Sequence, residues 1–135
     1  MANAVYPKAK ESFLSQNPSI DMDTDTIKVA MVTSAYVYSS AHQYYSSVSG
    51  VVGTPAALAS RTVTNGVFDA ADVTFTSVAS GSTVAALVIY KDTGSAATSP
   101  LVAFIDTASS GLPVSTNGGD ITITWDNGAN KIFAL

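Results

Sequence analysis

Cysteine is absent from the 135 residues, which excludes disulfide frameworks, zinc–thiolate sites, Fe–S clusters and thiol catalysis. Histidine occurs once, as His42, and glutamate once, as Glu11, leaving little material for an acid–base site. Charge is scarce: Asp, Glu, Lys and Arg together make up 12% of the chain, against a usual share of roughly 25%. Six Lys and Arg against ten Asp and Glu give a net charge of −4, which opposes any binding of nucleic acid by net charge. The longest apolar run, Val84 to Tyr90, falls far short of the roughly 20 residues that span a bilayer. Lys8, Lys10 and Glu11 lie where a secretory signal would need an unbroken apolar stretch. The chain is therefore expected to stay in the cytoplasm where it is made, unless it leaves as part of something larger.

What fills the composition is apolar residues, at 47%, with Ser and Thr. Low charge with high apolar content excludes a disordered chain, and the length suits a single domain with one sizeable core. Residues 1–25 differ from the rest and are expected to form an N-terminal arm. Tyr6 to Leu14 predicts a short helix with Pro7 in its first turn, where a missing N–H costs nothing. Asn17-Pro18 ends it, because the residue before proline is pushed out of the helical region.

From residue 26 onward the signals have period two. Ile27, Val29 and Met31 alternate with Lys28 and Ala30, which predicts a strand with one buried face. Val73 and Phe75 alternate with threonines, as do Ile121, Ile123 and Trp125. Two runs do not alternate: Val84 to Tyr90 and Leu101 to Ile105. A strand apolar on both faces is covered on both, here by a helix, an arm or another subunit. Turn signals at Asn65-Gly66, Gly81, Asp92-Thr93-Gly94, Gly111-Leu112-Pro113, Asn117-Gly118-Gly119 and Asp126-Asn127-Gly128 separate the strands. The expectation is all-β: an antiparallel β-sandwich or jelly roll of about seven or eight strands over 26–135, within a single domain spanning 1–135. The C-terminal segment through Ile132 and Phe133 is expected to pair with 120–126 as a hairpin, with Trp125 in the core.

Candidate chemistry is thin. Asp21-Met22-Asp23-Thr24-Asp25 has the alternating carboxylates of a calcium loop, but the positions that would need Gly and a bidentate Glu hold Thr26 and Val32. A solvated approach to a strand is the better reading. Asp126-Asn127-Gly128-Ala129-Asn130 reads as a turn. His42 has no Gly-x-Ser-x-Gly elbow to serve and reads as an exposed loop residue. Asp69 and Asp72 flank a turn and read as caps rather than as a glycosidase pair, and Gly118-Gly119 precedes a strand, not a phosphate-binding helix. No catalytic residue, metal site or cofactor is expected. Tyr36, Tyr38, Tyr44 and Tyr45 cluster between Tyr36 and Gly53, the stretch that reads least like core. Tyrosine is enriched in binding surfaces, being large, fairly rigid and half polar. These four are the candidate interface, with a subunit contact favoured over a platform for sugar or nucleobase.

Several stretches taken together resemble a family. They are Ala4 to Leu14 followed by Asp25-Thr26-Ile27-Lys28-Val29-Ala30, Val67 to Phe75, and Ala86 to Gly94. Gly111-Leu112-Pro113-Val114 and Asn117 to Gly128 are the most specific. The chain resembles, over nearly its whole length, short proteins encoded among the virion genes of tailed bacteriophages and prophages. The resemblance implies a virion component and carries over no catalytic residue. On that footing the expected function is a capsid decoration or cement protein on the outer surface of the shell. It would be a dimer or trimer that bridges units of the major capsid protein, its N-terminal segment reaching a neighbour. The alternative is a tail or fibre-associated module binding host glycans through Tyr36 to Tyr45. Neither reading involves a membrane or nucleic acid.

Overall fold

The computed structural model describes residues 4–106, 112–125 and 132–134. The fold is mostly β, with one short helix and antiparallel sheets. The chain enters through β1 (Ala4–Val5) and α1 (Pro7–Ser15), then forms β2 (Ile27–Val32), β3 (Val51–Ala57), β4 (Thr62–Thr64), β5 (Val67–Asp69) and β6 (Val73–Phe75). It continues through β7 (Thr83–Val84), β8 (Ala86–Lys91), β9 (Leu101–Ile105), β10 (Val114–Ser115), β11 (Ile121–Ile123) and β12 (Phe133–Ala134). Pro7 begins α1 as predicted, and Gln16, in the left-handed conformation, ends it just before Asn17-Pro18.

The largest sheet has five strands in the order β1-β9-β8-β2-β3. Three smaller antiparallel units accompany it: β7 with β10, β6 with β11, and β12-β5-β4. The main core lies between one face of the large sheet and these shorter units. Val29, Met31, Leu87, Ile89 and Ile105 meet Phe68, Val73, Phe75, Ile121, Ile123 and Trp125 there. Val73 and Phe75 are buried while Thr74 is exposed, and Ile121 and Ile123 are buried while Thr122 is exposed, as period two requires. Trp125 is in the core, 3% exposed, and its indole Nε1–H donates to the Ala71 carbonyl at 3.1 Å. Asp72 does act as a cap: its carboxylate accepts the Trp125 backbone N–H at 3.0 Å.

The opposite face of the large sheet is also buried. Ala30, Val32, Ala86, Val88, Tyr90, Leu101 and Phe104 form a second core with Tyr6 and Ala9 of the N-terminal segment and Tyr36 of the loop after β2. β2 is therefore not a one-faced strand, because Ala30 and Val32 are as buried as Val29 and Met31. The cover that the two doubly apolar runs require comes from within the chain, so their apolar faces call for no second subunit. The N-terminal segment is likewise bound in: Ala4 and Val5 pair with Phe104 and Ala103 of β9, and Tyr6 N–H donates to the Val102 carbonyl at 2.9 Å. That places it on its own sheet rather than on a neighbour.

Two irregularities set which side chains face where. Between β8 and β9 the register advances from Ile89↔Ala103 to Tyr90↔Leu101, so Val102 is the extra residue of a bulge. The bulge puts Leu101 and Phe104, three residues apart, on the same face. In β3 the register slips between Ala56 and Val52, where Gly53 adopts a φ of 68° beneath the Met31 side chain. Asn65 and Gly66, both with positive φ, close the β4–β5 hairpin as predicted.

One expected pairing is corrected. β12 does not pair with β11: Phe133 lies opposite Phe68 and Ala134 opposite Val67, on the free edge of β5. β11 instead pairs with β6, and the Thr74 and Thr122 hydroxyls meet at 3.0 Å on the outer face. The turn expected at 126–130 lies outside the described residues, as does Gly111. The strands are also shorter and more numerous than expected, because breaks at Ala85 and at the positive-φ residues Ser60 and Ser77 divide the β-rich stretches.

Candidate functional site

The four tyrosines singled out from the sequence are mostly part of the fold's interior cover. Tyr36 is 5% exposed and belongs to the second core, contrary to the reading of this stretch as least like core. Its hydroxyl meets the Tyr6 hydroxyl at 2.7 Å and the His42 Nδ1 at 2.9 Å, and its ring stacks on the imidazole. His42 is thus half-buried and held by a phenol rather than free in a loop. Tyr38 is half-buried, with its ring 5.0 Å from Tyr6 and 5.6 Å from Phe104. Tyr45 stacks on Tyr90 at 4.1 Å and an interplanar angle of 14°. Tyr44 joins this group through its backbone, in a bridge to Pro100 flanked by Tyr45 N–H to Ser99 O and Leu101 N–H to Gln43 O, each 2.8 Å.

The structure therefore divides the four into two groups: Tyr36 and Tyr38 over Phe104 and Tyr6, and Tyr45 over Tyr90, with Tyr44 beside it in a backbone bridge to Pro100. The partners Tyr6, Tyr90 and Phe104 were not singled out from the sequence. The signal available was the position of Tyr6 immediately before the helix-starting Pro7, and of Tyr90 at the end of a doubly apolar run. Burial raises the pKa values of Tyr6, Tyr36, Tyr45 and Tyr90 above the ordinary phenol value, so all four remain neutral well into the alkaline range. Beside this cluster a cleft of about 270 Å³ opens between Tyr38, Phe104, Thr33, Ser34 and Asp106.

A second concave region adjoins the N-terminal segment at Phe13 and Gln16. The loop from Ser19 to Asp25 is fastened at several points. Lys91 Nζ donates to the Ser19 carbonyl at 2.8 Å and pairs with Asp25 at 3.1 Å. Arg61 Nη1 donates to the carbonyls of Met22 (3.0 Å) and Asp25. Within the loop, Asp21 N–H donates to Asp25 Oδ2 at 2.8 Å and Asp23 N–H to Asp21 Oδ1 at 3.2 Å. This is a locally bonded turn running into β2, the solvated approach expected from the sequence. A hydrogen bond shared by the Asp21 and Asp23 carboxyls holds Asp21 below the usual carboxylate range and Asp23 above it. Between this loop and the β4–β5 hairpin runs a cleft of about 380 Å³. Phe13, Ile20, Met22, Phe68 and Phe133 supply its apolar surface, and Asp21 and Asp23 line it as well.

Lys28 pairs with Asp92 at 2.7 Å, which holds the Asp92 carboxyl below its ordinary range. Among the described residues, no group of three or more His, Asp or Glu side chains is placed to hold a metal ion. No helix among them is long and apolar enough to cross a membrane. No family model matches the chain, and comparison with curated proteins finds no significant relative.

Proposed function

We propose that this chain is a structural protein of a tailed-phage virion, most simply a decoration or cement protein on the outer surface of the capsid. The resemblance of nearly the whole sequence to virion-encoded proteins supplies the class. The observation that carries the role is the double burial of the five-stranded sheet by the chain's own residues. It gives a small block whose buried aromatic side chains are engaged in holding it together, a property suited to a part that clamps other subunits. On this reading the large sheet and the smaller sheets are the two layers of a β-sandwich or jelly roll. A dimer or trimer on the shell would make its contacts through outer surfaces and strand edges, the central sheet being already covered. Tyr38, Tyr44 and Tyr45 remain partly accessible for such contacts, whereas Tyr36 acts from within. Cryo-electron microscopy of purified particles tests this: density for the chain bridging capsid subunits supports it, and density confined to the tail overturns it.

A second reading, a tail or fibre-associated module that binds host glycans, is favoured by the cleft beside Tyr38. An accessible aromatic ring next to hydroxyl and carboxylate groups from Thr33, Ser34 and Asp106 has the composition that sugars recognise. A glycan array decides it, with binding expected to be lost in Tyr38→Ala.

A further inference from the structure

β4 is the outer strand of the three-stranded sheet β12-β5-β4. A two-residue turn at Asn65-Gly66 makes Thr64 and Val67 the hydrogen-bonded pair, so Val63 falls in the following, non-hydrogen-bonded row opposite Phe68. Its N–H and C=O therefore point off the open edge, and among the described residues neither has a partner. The Val63 side chain is 52% exposed and continues the row Phe133–Phe68–Val63 from the core into the mouth of the 380 Å³ cleft.

Three features thus meet in one place. The first is an unpaired strand edge, which is a template for another strand. The second is an apolar depression on the face where alternate side chains of an added strand would fall. The third is the Asp21 and Asp23 pair, which forms no direct ion pair among the described residues, Arg61 acting on Asp23 only at longer range. A second copy of this chain is a poor occupant, since it brings a net charge of −4 and the same two carboxylates.

We propose that the β4 edge and the adjoining cleft dock an extended segment of a different protein. The segment pairs with Val63 as an added strand, places an apolar side chain in the cleft and sets a Lys or Arg against Asp21 and Asp23. The inference goes beyond the virion reading and stands or falls without it.

The test uses the full chain and a fluorescein-labelled, acetylated heptapeptide with threonine at odd positions and valine, lysine and valine at the even ones. Fluorescence anisotropy is expected to show saturable binding below ~1 mM. Replacing the peptide lysine by glutamate is expected to weaken binding by about tenfold or more. Val63→Pro removes only the outward N–H, a change an edge strand tolerates, and is expected to weaken binding by a similar ~10-fold while the thermal transition is kept. Asp21→Asn with Asp23→Asn keeps the Asp21 side-chain acceptor and is expected to reduce both affinity and its salt dependence. This pair serves should Val63→Pro fail to fold. Absence of saturable binding to the wild type, or equal binding of the lysine and glutamate peptides, overturns the proposal. So does wild-type affinity in the aspartate variant. A dimer in sedimentation that Val63→Pro abolishes would overturn it too, by assigning the edge to a second copy.

Discussion

The hydroxyls of Tyr6 and Tyr36 lie 2.7 Å apart with both rings buried, joining the residue that precedes α1 to the loop after β2. That bond ties together the two segments that cover the second face of the large sheet. The Tyr36 hydroxyl also meets His42 Nδ1, so the two phenols are not equivalent.

The inequivalence predicts an asymmetry in mutant stability. Tyr6→Phe leaves the Tyr36 hydroxyl bonded to His42 and should cost about 1 kcal/mol. Tyr36→Phe strands the buried Tyr6 hydroxyl and should cost more, on the order of 1–3 kcal/mol. Urea unfolding of the two variants measures the difference, and equal costs would mean that the Tyr6 hydroxyl has another partner.

Alkaline pH should destabilise the fold through the same groups. The buried phenols have pKa values raised above those of the unfolded chain, so their contribution is fully present below pH ~10 and is lost as pH climbs past that value. The urea midpoint is expected to fall steadily above pH ~10, less steeply in Tyr6→Phe than in wild type. A midpoint that stays flat over that range would contradict the burial of these rings.

Trp125→Ala should cost about 3–5 kcal/mol, by lost burial, a residual cavity and loss of the bond to the Ala71 carbonyl. Thr122→Ala removes only an exposed hydroxyl pair with Thr74 and should stay within ~0.5 kcal/mol of wild type. Thermal melts compare them, and similar shifts for the two would place Trp125 at the surface.

Phe68 and Phe133 face each other across β5 and β12 with ring centroids 5.3 Å apart. A double-mutant cycle with Phe68→Ala and Phe133→Ala should give a coupling of about 0.5–1.5 kcal/mol. Phe133→Ala with Ile121→Ala should be close to additive, whereas a larger coupling there would restore the pairing of the last strand with β11.

The sequence carried the local half of this architecture. Pro7 and Asn17-Pro18 bounded the helix, Asn65-Gly66 marked its hairpin, and the alternation through Val73, Phe75, Ile121, Ile123 and Trp125 told inside from outside, because each is decided by a residue and its near neighbours. The two doubly apolar runs also announced a second cover. What was not legible was who provides it, or where β12 goes. Both depend on which edge or face is vacant once distant segments have met: Phe133 finds the open side of β5, and Tyr36 finds Tyr6 thirty residues away. The tyrosines misled for a related reason. Half polar, they suit a wet interface or an internal seam equally well, and only the presence of Tyr6, Tyr90 and Phe104 beneath them decides between the two.

The pairing of Ala4 and Val5 with Ala103 and Phe104 bears on how the protein is born. β1 finds its partner only in β9, far along the chain, and the large sheet interposes β8 between β9 and β2. On the ribosome, Ala4 and Val5 must wait unpaired until β9 has emerged. Val88, Tyr90 and their neighbours acquire their final cover only when both ends of that span are free to meet. Such sequence-distant closure slows folding relative to a locally connected fold of the same size, and makes completion of this sheet wait until synthesis has passed β9.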